Sequence, residues 1–203
     1  LVVGDQDWSP GVIGIVASRI QQELHYGPTI VFSVDEEAGL ARGSARSVPG
    51  YDLYAALAAC DPYLMKWGGH KMAAGMTVTL EQMDAFKARF EEVAQGHSPE
   101  VFIPKARVDL ELELDLVSTE LLEALNQLEP HGLGNPTPTF AARRVPVTLK
   151  KAFGREQKHL RLVVDNRMEG IFWRGAPSCS ERMWKEQPLL DVVFQVEWDD
   201  YSG

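Results

Sequence analysis

The hydrophobic pattern of this chain changes its period near residue 105, and this change limits the folds that the chain can adopt. Before it, strand-like apolar runs alternate with segments of helical spacing, as is typical of an α/β domain. After it, residues 108–116 alternate apolar and acidic side chains in strict period two. A proline-containing stretch between the two has the composition of a linker. We predict an α/β domain at 1–97, a linker at 98–106 and a mostly β domain at 107–203.

The first domain is predicted to begin with a short strand and a helix. Ser9 is a candidate cap for that helix, and Pro10 suits its first turn. The apolar residues that recur at helical spacing are predicted to form one buried stripe: Val12, Ile15, Val16, Ile20 and Leu24. The same signals predict strands at 29–34, 40–44 and 72–78 and helices that begin after Asp52 and Thr79.

The second domain is predicted to contain one short helix capped by Ser118 and several short strands. The strand-like runs lie at 140–149, 159–165, 168–173 and 189–198. Short strands separated by polar turns favour a small barrel such as an OB-fold. The predicted fold is therefore an α/β domain followed by an OB-fold-like barrel.

Composition narrows the class of protein. The 203 residues are 45% hydrophobic and 24% charged, which predicts a folded chain, and no apolar run is long enough to cross a membrane. Cys60 and Cys179 stand far apart, so neither a disulfide framework nor a zinc site is expected. A cytoplasmic protein is predicted. The start at Leu1 and the stop after a strand-like run suggest a fragment of a longer protein.

Charge is distributed unevenly around a net value of −9. Residues 109–129 hold seven acids and no base, whereas residues 141–161 hold seven bases and one acid. The basic run is either a solvated face or a track for a phosphate backbone. Its bases are Arg143, Arg144, Lys150, Lys151, Arg155, Lys158 and Arg161. The aromatic residues available for base stacking are Phe140, Phe153, Phe172 and Trp173, of which Phe153 is favoured because it lies in a polar turn.

Two short segments have the chemistry of a phosphate site. Gly68 and Gly69 allow a ligand to approach the backbone, and His70 offers a ring donor directly after them. Ser44 and Arg46 place a hydroxyl and a planar guanidinium near a glycine. Each segment has a plain structural alternative, namely a turn histidine and a hairpin end with surface ion pairs.

Four segments in this order resemble the RecJ family of single-strand exonucleases. They are WSPGVIGIVASR (8–19), GSARS (43–47), WGGHKMAAG (67–75) and LEPHGLGNPTPTF (128–140). The first three are similar to the family's DHH-associated domain and the fourth to a loop of its OB-fold. His131 stands where the family commonly has Phe.

The resemblance implies an exonuclease that degrades single-stranded DNA from its 5′ end in recombination and repair. It implies Mn²⁺ or Mg²⁺ held by a DHH domain whose ligands precede Leu1, so this chain alone is expected to hold no metal and to be inactive. Ser44 and Arg46 match positions that receive the 5′-terminal phosphate, and His70 matches the histidine that faces the scissile phosphate. The implied partners are single-stranded DNA, a helicase and a single-strand-binding protein.

Two other functions stay open at this point. One is a phosphodiesterase of the same superfamily that cleaves short oligonucleotides or cyclic dinucleotides. The other is a non-catalytic module that binds single strands.

Overall fold

The structure of this protein is a computed structural model, which describes residues 1–179, 184–185 and 189–199. The end of the predicted second domain, 200–203, lies outside the described residues. No helix among the described residues is both long and apolar enough to cross a membrane.

The chain divides into two compact units, Leu1–Lys105 and Ala106–Gly203. The first unit extends beyond residue 97, through most of the segment predicted to be a linker. Within that segment, a 3-10 helix at Pro99–Phe102 lays two apolar side chains against the core of the first unit. Burial of these side chains explains why the segment belongs to that unit.

A mixed sheet of five strands forms the centre of the first unit. In chain order the strands are β1 (Val2–Asp5), β2 (Thr29–Asp35), β3 (Leu40–Arg46), β4 (Lys66–Gly69) and β5 (Ala73–Thr79). Their order across the sheet is β1-β2-β3-β5-β4, with β1 parallel to β2 and the other neighbours antiparallel. The two glycines predicted to lie in a loop are therefore the last residues of an edge strand.

Helices cover both faces of this sheet. The helix α1 (Ile13–Glu23) packs on the face that includes Val31, whereas α2 (Leu53–Ala58) and α3 (Met83–Gln95) pack on the face that includes Phe32. The predicted caps at Asp52 and Thr79 are confirmed. The Asp52 side chain accepts the Ala55 N–H, and the Thr79 side chain accepts the Gln82 N–H at the start of the 3-10 helix Leu80–Gln82 that leads into α3.

The predicted buried stripe of α1 is wrong. Ile13 and Ala17 are buried, while Ile15 is 71% and Leu24 81% exposed. The helix begins at Ile13, after a cap residue that supplies no side-chain hydrogen bond, so Ser9 and Pro10 precede the helix. Its buried face is therefore rotated from the predicted one.

The second unit is a largely antiparallel sheet with one short helix, α4 (Thr119–Asn126). Its strands are β6 (Leu110–Glu111), β7 (Phe140–Phe153), β8 (His159–Val164), β9 (Met168–Phe172) and β10 (Leu189–Phe194). The order is β10-β7-β8-β9, and β6 pairs parallel to β7. Within the described ranges the pairing forms an open path rather than a closed barrel, so the predicted barrel is an OB-like sheet here.

The period-two run at 108–116 yields much less strand than predicted. Only β6 pairs as a strand, and the Leu112 N–H still binds the Ala141 carbonyl at 2.8 Å. Leu114–Leu116 then turns into a 3-10 helix and leaves the sheet. The predicted Ser118 cap is confirmed, since its hydroxyl accepts the Leu121 N–H.

Candidate nucleic-acid interface

The sequence-predicted phosphate residues of the first unit lie at one end of its sheet. Arg46 on β3 pairs with Ala73 on β5, and the His70 N–H donates to the Ala73 carbonyl at 2.8 Å. Arg46 and His70 are thus two strand spacings apart, a backbone separation of roughly 10 Å. The Arg46 and His70 side chains can therefore contact neighbouring phosphate groups of one ligand.

The Arg46 side chain is held in a defined orientation. Its Nε donates to Ser18 Oγ at 2.9 Å, and its Nη1 donates to Ser44 Oγ at 3.1 Å and to the Ala45 carbonyl at 2.9 Å. The remaining nitrogen, Nη2, makes no hydrogen bond to any described residue. The guanidinium therefore keeps a charged donor for an anion, beside a Ser44 hydroxyl whose own proton stays available.

The turn that carries His70 requires glycine. Gly69 has φ +152°, and a Cβ there would lie 2.4 Å from the Ala73 carbonyl oxygen. A Cβ at Gly68 would meet nothing within 4 Å, so that backbone is open to a ligand. The turn leaves the His70 side chain exposed at the sheet end.

An open cavity of about 300 Å³ borders this turn. Its lining residues are Asp52, Tyr54, Gly69, His70 and Lys71. Sequence reasoning did not select Asp52, Tyr54 and Lys71 for a site. The predicted cap at Asp52 was the one sequence signal for these residues, since it marks the start of α2. In the structure the start of α2 contacts the turn, because the Leu53 N–H donates to the Lys71 carbonyl at 3.1 Å.

Ion pairing divides the predicted DNA-binding bases of the second unit into two sets. Arg143 contacts Glu111 and Asp191, Lys158 contacts Glu156, and Lys150 and Arg161 both contact Glu169. The other three bases form no salt bridge with any described residue: Arg144, Lys151 and Arg155. Neighbouring carboxylates reduce the field of the first set, so the second set has the more available charge.

Three rings cluster where the β7–β8 turn meets the end of β9. The centroids of Phe153 and Trp173 both lie close to that of His159, at 5.4 and 5.1 Å. The Phe153 and Trp173 centroids lie 6.0 Å apart, so the three rings form a triangle. His159 Nδ1 accepts the Arg174 N–H at 3.0 Å, which fixes the orientation of its ring. Trp173 is 60% exposed and offers a stacking face. Phe140, by contrast, is buried in the core, so its predicted availability is wrong.

The donor set does not fit a metal ion. The described part of the chain contains no group of three or more His, Cys, Asp or Glu residues that could hold one. A hydrolytic metal site normally needs at least three protein ligands.

Family models match both units. The DHHA1 domain matches residues 1–96, and the RecJ OB domain matches residues 108–203. The chain belongs to the RecJ family. Curated RecJ relatives are named single-stranded-DNA-specific exonucleases. The Bacillus subtilis RecJ is 36% identical over 82% of this chain, and the Haemophilus influenzae RecJ is 32% identical over 97% of it.

Solved RecJ structures share the fold. The Mn²⁺ complex of RecJ from Thermus thermophilus superposes on 100% of this chain with a TM-score of 0.79 at 26% identity. The Mg²⁺ complex covers 85% of the chain with a TM-score of 0.69 at 30% identity. These matches take in 28% and 26% of the two RecJ chains. The chain spans 21% of the Bacillus relative and 35% of the Haemophilus relative, so it corresponds to the part of RecJ that carries the DHHA1 and OB domains.

Proposed function

We propose that this chain is the DNA-holding part of a RecJ-type exonuclease that degrades single-stranded DNA from its 5′ end during recombination and repair. The observation that carries the proposal is the placement of Arg46, Ser44 and His70 at one end of the first sheet. A terminal phosphate has more charge than an internal diester and suits a charged fork with an adjacent hydroxyl.

In this proposal, Arg46 and Ser44 bind the 5′-terminal phosphate. His70 lies at the scissile phosphate, where a fixed donor stabilises developing charge, and the Gly68–Gly69 backbone lets the strand pass closely. A Mn²⁺ or Mg²⁺ ion would supply the activated water, and residues outside this chain would hold it. The chain's own residues hold and orient the strand.

In the same proposal, the second unit binds nucleotides of the strand that follow the 5′-terminal one. Arg144, Lys151 and Arg155 contribute available charge, while Phe153 and Trp173 offer ring faces to bases. Arg143, Lys150 and Lys158 belong to the same track with weaker effect, because carboxylates already contact them. A cytoplasmic site of action, a helicase and a single-strand-binding protein complete the proposal.

The OB match argues against an enzyme for dinucleotides, since such a substrate has no length to occupy a second unit. In the same proposal, this chain by itself binds single strands without cutting them, as a non-catalytic binding module would.

Binding of fluorescent oligothymidylate to this chain tests the proposal. We expect salt-sensitive binding of the long single strand, much weaker binding of dithymidylate, and no nucleotide release with Mn²⁺ or Mg²⁺. Equal affinity for the dinucleotide would favour the phosphodiesterase. Nucleotide release that a chelator abolishes would contradict the holding role.

A further inference from the structure

Two residues of α1 contact the functional groups of β3. Ser18 Oγ accepts the hydrogen bond from Arg46 Nε at 2.9 Å and donates its own proton to the Gly14 carbonyl at 3.0 Å. Because Gly14 and Ser18 are four residues apart, they lie on the same face of the helix. That face therefore adjoins the Arg46 guanidinium.

Gly14 lets the helix lie close to the Arg46 and Ser44 side chains. A Cβ at this position would lie 3.0 Å from Arg46 Nη2 and 3.1 Å from Ser44 Oγ, which is tighter than an ordinary contact. Glycine is less favourable than alanine inside a helix, so its presence there needs a local reason. A side chain at position 14 would displace the Ser44 hydroxyl and the one guanidinium nitrogen that makes no hydrogen bond to the described residues.

We propose that Gly14 and Ser18 are positioning residues that set the preference for a 5′-phosphorylated end. This inference rests on the proposed function. Ser18 fixes the guanidinium so that Nη2 and the Ser44 hydroxyl lie side by side, and Gly14 leaves both in that position. A 5′-hydroxyl end lacks the charged oxygens that would use these donors.

Orientation matters because Arg46 has many rotamers when it is unrestrained. Two of its three guanidinium nitrogens are already bound within the protein. The conformational entropy of the Arg46 side chain is therefore lost on folding rather than on binding. A terminal phosphate then binds to a preorganised pair of donors.

The test measures the affinity of this chain for oligothymidylate with a 5′-phosphate and with a 5′-hydroxyl. The ratio of the two affinities reports end preference. We expect Gly14→Ala to reduce the ratio roughly tenfold and Ser18→Ala roughly threefold, with Arg46→Ala removing it. Ser18→Thr keeps the hydroxyl and should keep the ratio. Gly11→Ala, which lies outside the proposed site, should leave the affinities for both ends unchanged.

Gly11→Ala is the matched control, because a Cβ there approaches only Ser9 Oγ at 3.8 Å. Urea unfolding of each variant separates end preference from fold damage. In Gly14→Ala the helix propensity gained by alanine opposes the cost of displacing Arg46 Nη2 and Ser44 Oγ, so its stability should stay close to that of the original chain.

Different results would overturn the proposed end recognition and the positioning role of Gly14 and Ser18. An absent preference in the original chain, or a ratio that Arg46→Ala leaves unchanged, would overturn the proposed end recognition. Loss of the ratio in Arg46→Ala, with full retention in Gly14→Ala and Ser18→Ala, would overturn only the positioning role.

Discussion

His70 is exposed on a glycine turn and makes no side-chain hydrogen bond to any described residue. At the scissile phosphate it would act on turnover rather than on end recognition. In the proposed exonuclease, His70→Ala should therefore lower kcat equally for 5′-phosphorylated and 5′-hydroxyl strands. Arg46→Ala should lower use of phosphorylated ends by roughly 10- to 100-fold, with Arg46→Lys recovering part of it. Initial rates on both ends check this, and an unequal effect of His70→Ala would contradict its assigned place.

Cys60 and Cys179 provide a residue-level test of the core. Burial raises the pKa of the Cys60 thiol to about 11 and also raises the pKa of the partly exposed Cys179 thiol. Because thiolate is the reactive form, its fraction at Cys60 is small at about pH 8 and grows as pH rises toward the pKa. We expect iodoacetamide to modify Cys179 first in the native chain and both cysteines in denaturant. Peptide mass mapping measures this, and equal native rates would show that the Cys60 environment is open.

At the scale of the element, the bases of β7 and of the turn after it differ in whether a carboxylate contacts them. Lys151→Gln and Arg155→Gln should each flatten the salt dependence of single-strand binding by roughly 0.7, the value for one lost phosphate contact. Lys150→Gln is the matched control, since it makes the same charge change at a residue that already contacts Glu169. Binding titrations over a salt series provide the slopes. Equal slopes for all three variants would mean that only net charge matters.

The 3-10 helix Pro99–Phe102 allows a test of where the first unit ends. A chain of residues 1–105 should exceed a chain of residues 1–97 in free energy of unfolding by about 1–3 kcal/mol, because the longer one keeps two packed apolar side chains. Val101 and Phe102 are those side chains. Urea unfolding measures the difference, and replacing both by Ala in the longer chain should reproduce it. Equal free energies of unfolding for the two chains would show that residues 98–105 act only as a linker.

Sequence reasoning succeeded where the chemistry is local. The caps at Asp52, Thr79 and Ser118 depend on residues three positions away, and all three form as predicted. The prediction of which face of α1 is buried was wrong, because two rows of apolar residues have the same helical spacing. Small Ala17 gives a weaker signal than Ile15, although Ala17 is the buried one.

The candidate site could be predicted only in part. Resemblance selected Ser44, Arg46 and His70, but not the contact from Ser18, which comes from a helix 28 residues earlier in the chain. Nor could the sequence show that Lys150 is paired across the sheet with Glu169, because that contact depends on strand register. Tertiary contacts of this kind decide which charges stay available.

At the scale of the whole molecule, the central proposal is that the sheet end formed by Arg46, Ser44 and His70 receives the 5′ end of a single strand. The chain's mass of 22.6 kDa allows solution NMR of its backbone amides and arginine Nε–H groups.

The most direct measurement is titration of the labelled chain with oligothymidylate that carries either a 5′-phosphate or a 5′-hydroxyl. We predict that the phosphorylated strand shifts the Arg46 Nε–H and the Ser44 and His70 amides. The hydroxyl strand should shift His70 and the second unit but leave the Arg46 Nε–H near its free position. Indistinguishable shifts of the Arg46 Nε–H with the two strands, or none with either, would contradict the claim.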